Sequence, residues 1–208
     1  MAQLTLFDSA ETLVADDDRG RIVYTPHFVD TATADGWFVE LRRGVKWQSE
    51  RRMMYDREVD VPRLVAHFRL DPAEEFIPGA LLAAADRVGE KLGVPFNSVG
   101  LNLYRDGRDS VAPHNDHLNE IRKGFPIALV SLGGTRRMTI RAKAQPRSAV
   151  HVDLEAGSLL VMDYATQLHY THSVPKTTDP VGERISVAFR VKRARTAPGA
   201  EVGRGFYR

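Results

Sequence analysis

The stretch that decides the fold is Arg184-Ile185-Ser186-Val187-Ala188-Phe189-Arg190-Val191. Side chains alternate sides along a strand, so Ile185, Val187, Phe189 and Val191 share one face and Arg184, Ser186, Ala188 and Arg190 the other. The first is a core face. The second sets two arginines six residues apart, about 20 Å along the strand, with small residues between them. Small side chains beside guanidinium forks leave room for a carboxylate-bearing ligand. Solvated arginines on a half-exposed strand give the same alternation.

The same texture extends backwards. Val99–Tyr104, Ile127–Leu132, Arg137–Arg141, Val150–Leu154 and Ser158–Asp163 are short apolar runs punctuated by Gly, Pro and Asp. Strands at such regular spacing predict a β-sandwich or barrel. The N-terminal half is different. Pro78 and Gly93 bracket a helix with an apolar face of Leu81, Leu82, Ala85, Val88 and Leu92, and Phe28, Ala32, Trp37, Phe38 and Leu41 fit an earlier one. Residues 45–66 mix Trp47, Met53, Met54, Tyr55 and Val59 with many charges and read as short strands and loops, with Pro62 as a breaker. Residues 1–24 read as a loosely packed arm ending in Ile22-Val23-Tyr24. No linker-like stretch divides the chain, which predicts one α+β domain: an arm (1–24), a helical and mixed region (25–94), a β-rich core (95–195) and a basic tail (196–208).

Composition narrows the chemistry. The 208 residues contain no cysteine, which excludes a disulfide scaffold, a cysteine nucleophile and thiolate metal sites. Any metal must sit on His, Asp or Glu. The apolar runs are strand-sized and the N-terminus is acidic, so a cytoplasmic, non-membrane protein is expected, with a monomer as the simplest state. The net charge of +2 hides an uneven distribution. Residues 1–21 carry five acids and two arginines, whereas Arg136, Arg137, Arg141, Lys143 and Arg147 lie together without an acid. Such clusters suit a surface that meets polyanions, although charge runs are commonly just solvated.

Histidines supply the rest. His114 and Asp116, in Pro113-His114-Asn115-Asp116-His117, are spaced i, i+2 and face one side of an extended segment. His172 lies far along the chain. Two histidines and one carboxylate form the facial triad of non-haem iron oxygenases, which leaves three coordination positions open. His117, His151 and His169 compete for the same role. Asn102 and Tyr104 share a strand face just upstream.

In this order, Asn102-Leu103-Tyr104, His114-Asn115-Asp116, His172 and the Arg184–Arg190 strand, the sequence resembles the AlkB-type Fe(II)/2-oxoglutarate dioxygenases. Residues 126–133 and 157–162 support the likeness, which covers about 95–191 well and is weaker over Trp47 to Leu64. The resemblance implies a double-stranded β-helix (jelly-roll) core with the N-terminal helices packed on one sheet. It implies Fe(II) on His114, Asp116 and His172, which would be the catalytic centre. It implies 2-oxoglutarate with its distal carboxylate on Arg184, helped by Tyr104 and Ser186, and the carboxylate next to the keto group served by Arg190 and Asn102. Dioxygen is the third reactant. Oxidative demethylation of alkylated bases in single-stranded or flipped-out nucleic acid follows, with residues 25–94 contributing to nucleotide recognition. Tyr55 and Trp47 are the candidates for stacking on a base, and Arg51, Arg52, Arg136, Arg137, Arg141 and Lys143 for meeting phosphates. One departure stands out. DNA-repairing relatives carry an acidic residue four positions after the first iron histidine; here that position is Leu118, and Glu120 lies two further on. The alternative is the same oxygenase chemistry on a protein side chain or a small metabolite.

Overall fold

Each alternating segment of the C-terminal half forms a strand. The computed structural model describes residues 10–54, 57–71, 76–145 and 147–193, with backbone alone for 51–54 and 57–60. In chain order the elements are β1 (Thr12–Asp17), β2 (Gly20–Thr25), α1 (Thr31–Gly44), β3 (Gln48–Met54), β4 (Arg57–Arg69), α2 (Gly79–Leu92), β5 (Ser98–Tyr104), β6 (Val111–His114), β7 (Ile127–Gly133), β8 (Arg136–Ala142), β9 (Ala149–Leu154), β10 (Leu159–Met162), α3 (Thr166–His169), β11 (Tyr170–Val174) and β12 (Arg184–Arg190). Eight strands form one sheet in the order β1-β2-β10-β7-β12-β5-β4-β3, and four form another in the order β6-β11-β8-β9. The pairings are antiparallel throughout.

Strand β12 runs through the middle of the large sheet, pairing Arg184 with Tyr104 and Gly133 and Arg190 with Ser98. Both its faces are buried. Ile185, Val187 and Phe189 join a core cluster with Ala34 and Leu41 of α1 and Ala80, Leu81, Ala84 and Val88 of α2. A second cluster lies between the sheets, with Ile127, Leu129, Leu160 and Met162 from the large one and Met138, Ile140, Val152 and Leu154 from the small one. Two antiparallel sheets around a shared core are consistent with the jelly-roll expectation.

The N-terminal half departs from its reading in four places. The expected arm forms, over Thr12–Thr25, the β1–β2 hairpin, and β2 pairs with β10 along Ile22–Thr25. The apolar piece Ile22-Val23-Tyr24 is thus strand, not arm. Pro62 does not break β4. It falls where the β3 ladder bulges, and the β5 ladder begins only at Leu64, so neither neighbour needs its missing N–H. In α2 the buried face is Ala80, Leu81, Ala84 and Val88, and Leu82 is exposed. At about 100° per residue, Ala80, Ala84, Val88 and Leu81 fall within one stripe about 100° wide with Leu81 at its edge, and Leu82 lies a further 100° round, outside it. In α1 the buried positions are Ala34 and Leu41, and Ala32 is exposed. Asp30 caps α1 by accepting from the Thr33 N–H at 2.8 Å. No helix among the described residues is long and apolar enough to cross a membrane.

Candidate metal centre and its arginine face

The small sheet brings the triad together. His114 ends β6 and is the direct cross-strand partner of His172 in β11. Residues directly opposite in an antiparallel pair point to one face, so both imidazoles turn the same way, with ring centroids 4.3 Å apart. Asp116 follows two residues beyond the strand. Ligand atoms of His114, Asp116 and His172 all lie within 4.8 Å of one another, and among the described residues they form the one such group. His117, His151 and His169 are exposed and outside it.

The electrostatics suit cation binding. Nδ1 of His114 lies 2.9 Å from the Ala112 carbonyl, an acceptor, so that nitrogen carries the proton and Nε2 keeps a free lone pair. Burial lowers the His114 pKa, against the opposing pull of the Ala112 carbonyl and Asp116. Burial, reinforced by the neighbouring His114, drives His172 down to about 3. Both rings are therefore neutral ligands at ordinary pH. Burial works against the charge of Asp116, but the Arg190 guanidinium and its hydrogen bond outweigh this and hold the carboxyl below its usual range. Nε of Arg190 donates to Oδ2 of Asp116 at 2.7 Å.

The polar face of β12 leads from this centre into the interior. Gly100 on β5 lets the strand pass close to Arg190: a Cβ there would stand 3.2 Å from Nη1. Asn102 is the register partner of Ser186. Its Oδ1 accepts from Nε of Arg63 at 2.6 Å. At the far end Arg184 is fully buried. Its Nε donates to Ser131 Oγ at 2.9 Å, and its guanidinium carbon lies 5.2 Å from the Tyr104 ring centre. Nη1 and Nη2 have no hydrogen-bond partner among the described residues. A buried cation with two unpaired donors is costly unless an anion completes it.

The expected substrate contacts are placed differently. Trp47 packs against the helix-side core and donates Nε1–H to the Arg42 carbonyl at 3.3 Å, so its indole is committed away from the triad. Arg136 is buried and donates to the carbonyls of Asp106, Asp109 and Pro175 at 3.0, 2.9 and 2.7 Å. It is a structural brace, not a phosphate contact. Arg137 is exposed and paired with Asp153 at 2.8 Å. Lys143 Nζ donates to the Gln167 carbonyl. Tyr55 lies outside the described residues, and Arg51 and Arg52 are described only as backbone of β3. Leu118 is half-buried, and Glu120 is taken up by Lys192 at 2.7 Å. Reading the sequence gave no role to Ser131 or Gln167, and took in Arg63 only as part of the weaker family likeness over Trp47 to Leu64. Ser131 and Arg63 stand in strands whose alternation puts them on the site's face, a signal available in the sequence. Gln167 gave none.

The geometry defines a class: two neutral imidazoles and a carboxylate on one side, a buried anion-seeking guanidinium further in. The sequence model of the 2OG-Fe(II) oxygenase superfamily matches residues 21–190. Alpha-ketoglutarate-dependent dioxygenase alkB homolog 3 of Bos taurus is 32% identical over 188 residues, covering 82% of this chain and 65% of its own. The human DNA oxidative demethylase ALKBH2 is 31% identical over 181 residues, covering 76% and 69%. Among solved structures, that of OsALKBH1 superposes with a TM-score of 0.57 at 16% identity, over 86% of this chain and 100% of that one. A Pseudomonas putida prolyl-4-hydroxylase gives 0.54 at 18%, over 83% and 93%. The chain belongs to the AlkB-type family of the 2OG-Fe(II) oxygenase superfamily. It spans just under two thirds of the length of the alkB homolog 3 relative. The family's reagents are Fe(II), 2-oxoglutarate and dioxygen, and the residues present fit them: two imidazoles and one carboxylate are the ligand set of non-haem Fe(II), and the orphaned Arg184 nitrogens suit a carboxylate.

Proposed function

We propose that the protein is an Fe(II)/2-oxoglutarate-dependent dioxygenase that oxidatively demethylates alkylated nucleic-acid bases such as 1-methyladenine and 3-methylcytosine, releasing formaldehyde, succinate and CO2. The observation that carries the oxygenase part is the pair of unpartnered donors on buried Arg184, on the strand whose other end ties Asp116 to Arg190. The nucleic-acid part rests on the names of the relatives, a dioxygenase alkB homolog and a DNA oxidative demethylase.

His114, Asp116 and His172 hold the metal, whose chemistry is the coupled oxidation of the methyl group and of 2-oxoglutarate by dioxygen. Arg184, with Tyr104 and Ser186, takes the distal carboxylate of 2-oxoglutarate. Arg190 and Asn102 serve the end near the metal, Arg190 while also holding Asp116. The buried setting keeps water from these charges and strengthens each contact. Residues 95–195 form the catalytic core. The helices of 25–94 brace the back of the large sheet, and its β3–β4 hairpin serves nucleotide recognition. The base enters from a single strand or flipped out of a duplex, because the reacting atom is unreachable in a stack.

The test incubates the protein with Fe(II), 2-oxoglutarate, ascorbate and a 1-methyladenine or 3-methylcytosine oligonucleotide. Loss of the methyl group by mass, with formaldehyde and succinate, is the expected result. Succinate with an unchanged oligonucleotide removes the nucleic-acid part and leaves a protein side chain or metabolite as substrate. No succinate under any condition removes the whole reading.

A further inference from the structure

Asp116 is held unlike its two companions. His114 and His172 sit in paired strands, whereas the β6 ladder ends at His114 and no sheet bond reaches Asp116. Its backbone N–H is buried and needs an acceptor. That acceptor is a side chain 51 residues away: Oε1 of Gln167, at 2.9 Å. Gln167 is 1% exposed and lies in the turn of α3 immediately before β11. We propose that Gln167 is the positioning residue of the metal centre, fixing Asp116 in register with His172; this rests on the triad being the metal site.

The glutamine is itself clamped from outside. Its Nε2 donates to Thr166 Oγ1 at 3.2 Å, and Thr166 Oγ1 donates to the Asp163 carbonyl at 2.6 Å. These bonds settle the amide's orientation, leaving Oε1 turned to Asp116. The turn of the first hairpin presses on the same segment. Arg21 N–H donates to Asp163 Oδ2 at 3.1 Å, and Asp163 N–H to the Arg21 carbonyl at 3.0 Å. Gly20, at φ +115°, leaves no space for a side chain: a Cβ would stand 2.9 Å from Thr166 Cγ2. Tyr170 donates its hydroxyl to Asp17 at 3.3 Å, with the Arg19 guanidinium over its ring. The N-terminal hairpin thus backs α3, and α3 holds the carboxylate ligand.

The experiment titrates the full chain with Mn(II) alone, as a redox-inert probe, by calorimetry. Gln167→Met keeps the volume and removes the acceptor; Gln167→Glu keeps an acceptor in place. Gln167→Met strands one buried N–H, so it is expected to fold with a metal-free melting temperature roughly 2–6 °C below the parent's, and to bind Mn(II) roughly 10- to 100-fold more weakly, the usual effect of losing an outer partner of a ligand. Gln167→Glu is expected to bind within about threefold of the parent, as an acceptor-based role requires. With Fe(II), Gln167→Met should need more metal than the parent to reach half of its own maximal rate. Parent-like Mn(II) binding by Gln167→Met overturns the proposal, as does a Gln167→Glu variant as weak as Gln167→Met. Should Gln167→Met not fold, Gln167→Asn carries the test, since its amide falls one methylene short; parent-like binding then overturns the proposal. His114→Ala separates the two readings. Loss of binding in His114→Ala with parent-like Gln167→Met sinks the positioning role alone, whereas parent-like binding in His114→Ala sinks the metal centre and this role with it.

Discussion

Two buried guanidiniums meet at one tyrosine. Arg136, at the start of β8, and Arg184, at the start of β12, lie 5.5 and 5.2 Å from the Tyr104 ring centre, and both are almost inaccessible. Arg136 is surrounded by carbonyls and spends its terminal nitrogens on three of them, tying the 106–109 turn to Pro175. Arg184 spends only Nε. The first region is finished by the chain itself, and the second is finished by a ligand. Burial does not separate a structural charge from a functional one; the state of its hydrogen bonds does.

The largest effect should come from breaking that contrast at Arg184. Arg184→Met is expected to raise the 2-oxoglutarate KM by roughly 100-fold, the worth of about two charge-assisted hydrogen bonds. Its metal-free melting temperature should stay level or rise, because an unpaired buried cation is removed. A collapse in thermal stability would make Arg184 another brace. Arg136→Met should do the reverse. It strands the carbonyls of Asp109 and Pro175, that of Asp106 keeping the Asp109 N–H, and should cost about 2 kcal/mol, or roughly 4–8 °C in Tm for a chain of this size, while 2-oxoglutarate binding by the surviving fold stays near the parent's. Denaturation and steady-state kinetics on the same two variants decide it.

Imidazoles sharpen the comparison, because they can shed their charge as guanidiniums cannot. With its folded pKa lowered to about 3, His172 is neutral in the native state, while the unfolded chain takes up a proton near pH 6.5. Below that pH the unfolded state binds more protons, so stability must fall as pH falls. From pH 6.5 to 4.5 the metal-free protein should lose about 2 kcal/mol to this one group. His114, lowered for the same reason, adds to the loss. His172→Asn should flatten the slope of stability against pH; an unchanged slope would show that His172 is protonated in the fold.

Much of the centre was legible because its spacing is local. His114 and Asp116 sit two apart, and the alternation of β12 sorts its own arginines from its apolar residues. The facing of His114 and His172 needs the β6–β11 register, which no local pattern encodes. The phase of β8 was equally hidden. Arg136 and Arg137 are adjacent, and composition does not say which of them turns inward; the structure buries the first and exposes the second. Trp47 failed for a related reason, since an aromatic residue beside charges fits a base and a core alike until the sheet's back is known. Gln167 was invisible because its partner lies 51 residues away and a lone glutamine has no signature.

The smallest effect concerns the outward neighbour in that pair. Arg137 and Asp153 are cross-strand partners in β8 and β9 with two bonds, at 2.8 and 2.9 Å, and both lie in solvent. Water already solvates each charge, and holding two long side chains together costs rotamer freedom, so such pairs contribute little. Arg137→Ala should leave the melting temperature within about 1 °C of the parent. If Arg137 meets a phosphate, the same variant weakens single-stranded DNA binding and lowers the slope of log affinity against log salt by about 0.7, the share of one counterion. An unchanged slope leaves it a solvated partner of Asp153. The two adjacent arginines would then differ as Arg136 and Arg184 do, by what completes them: for the inner residue buried carbonyls of the chain, for the outer one an exposed aspartate and water.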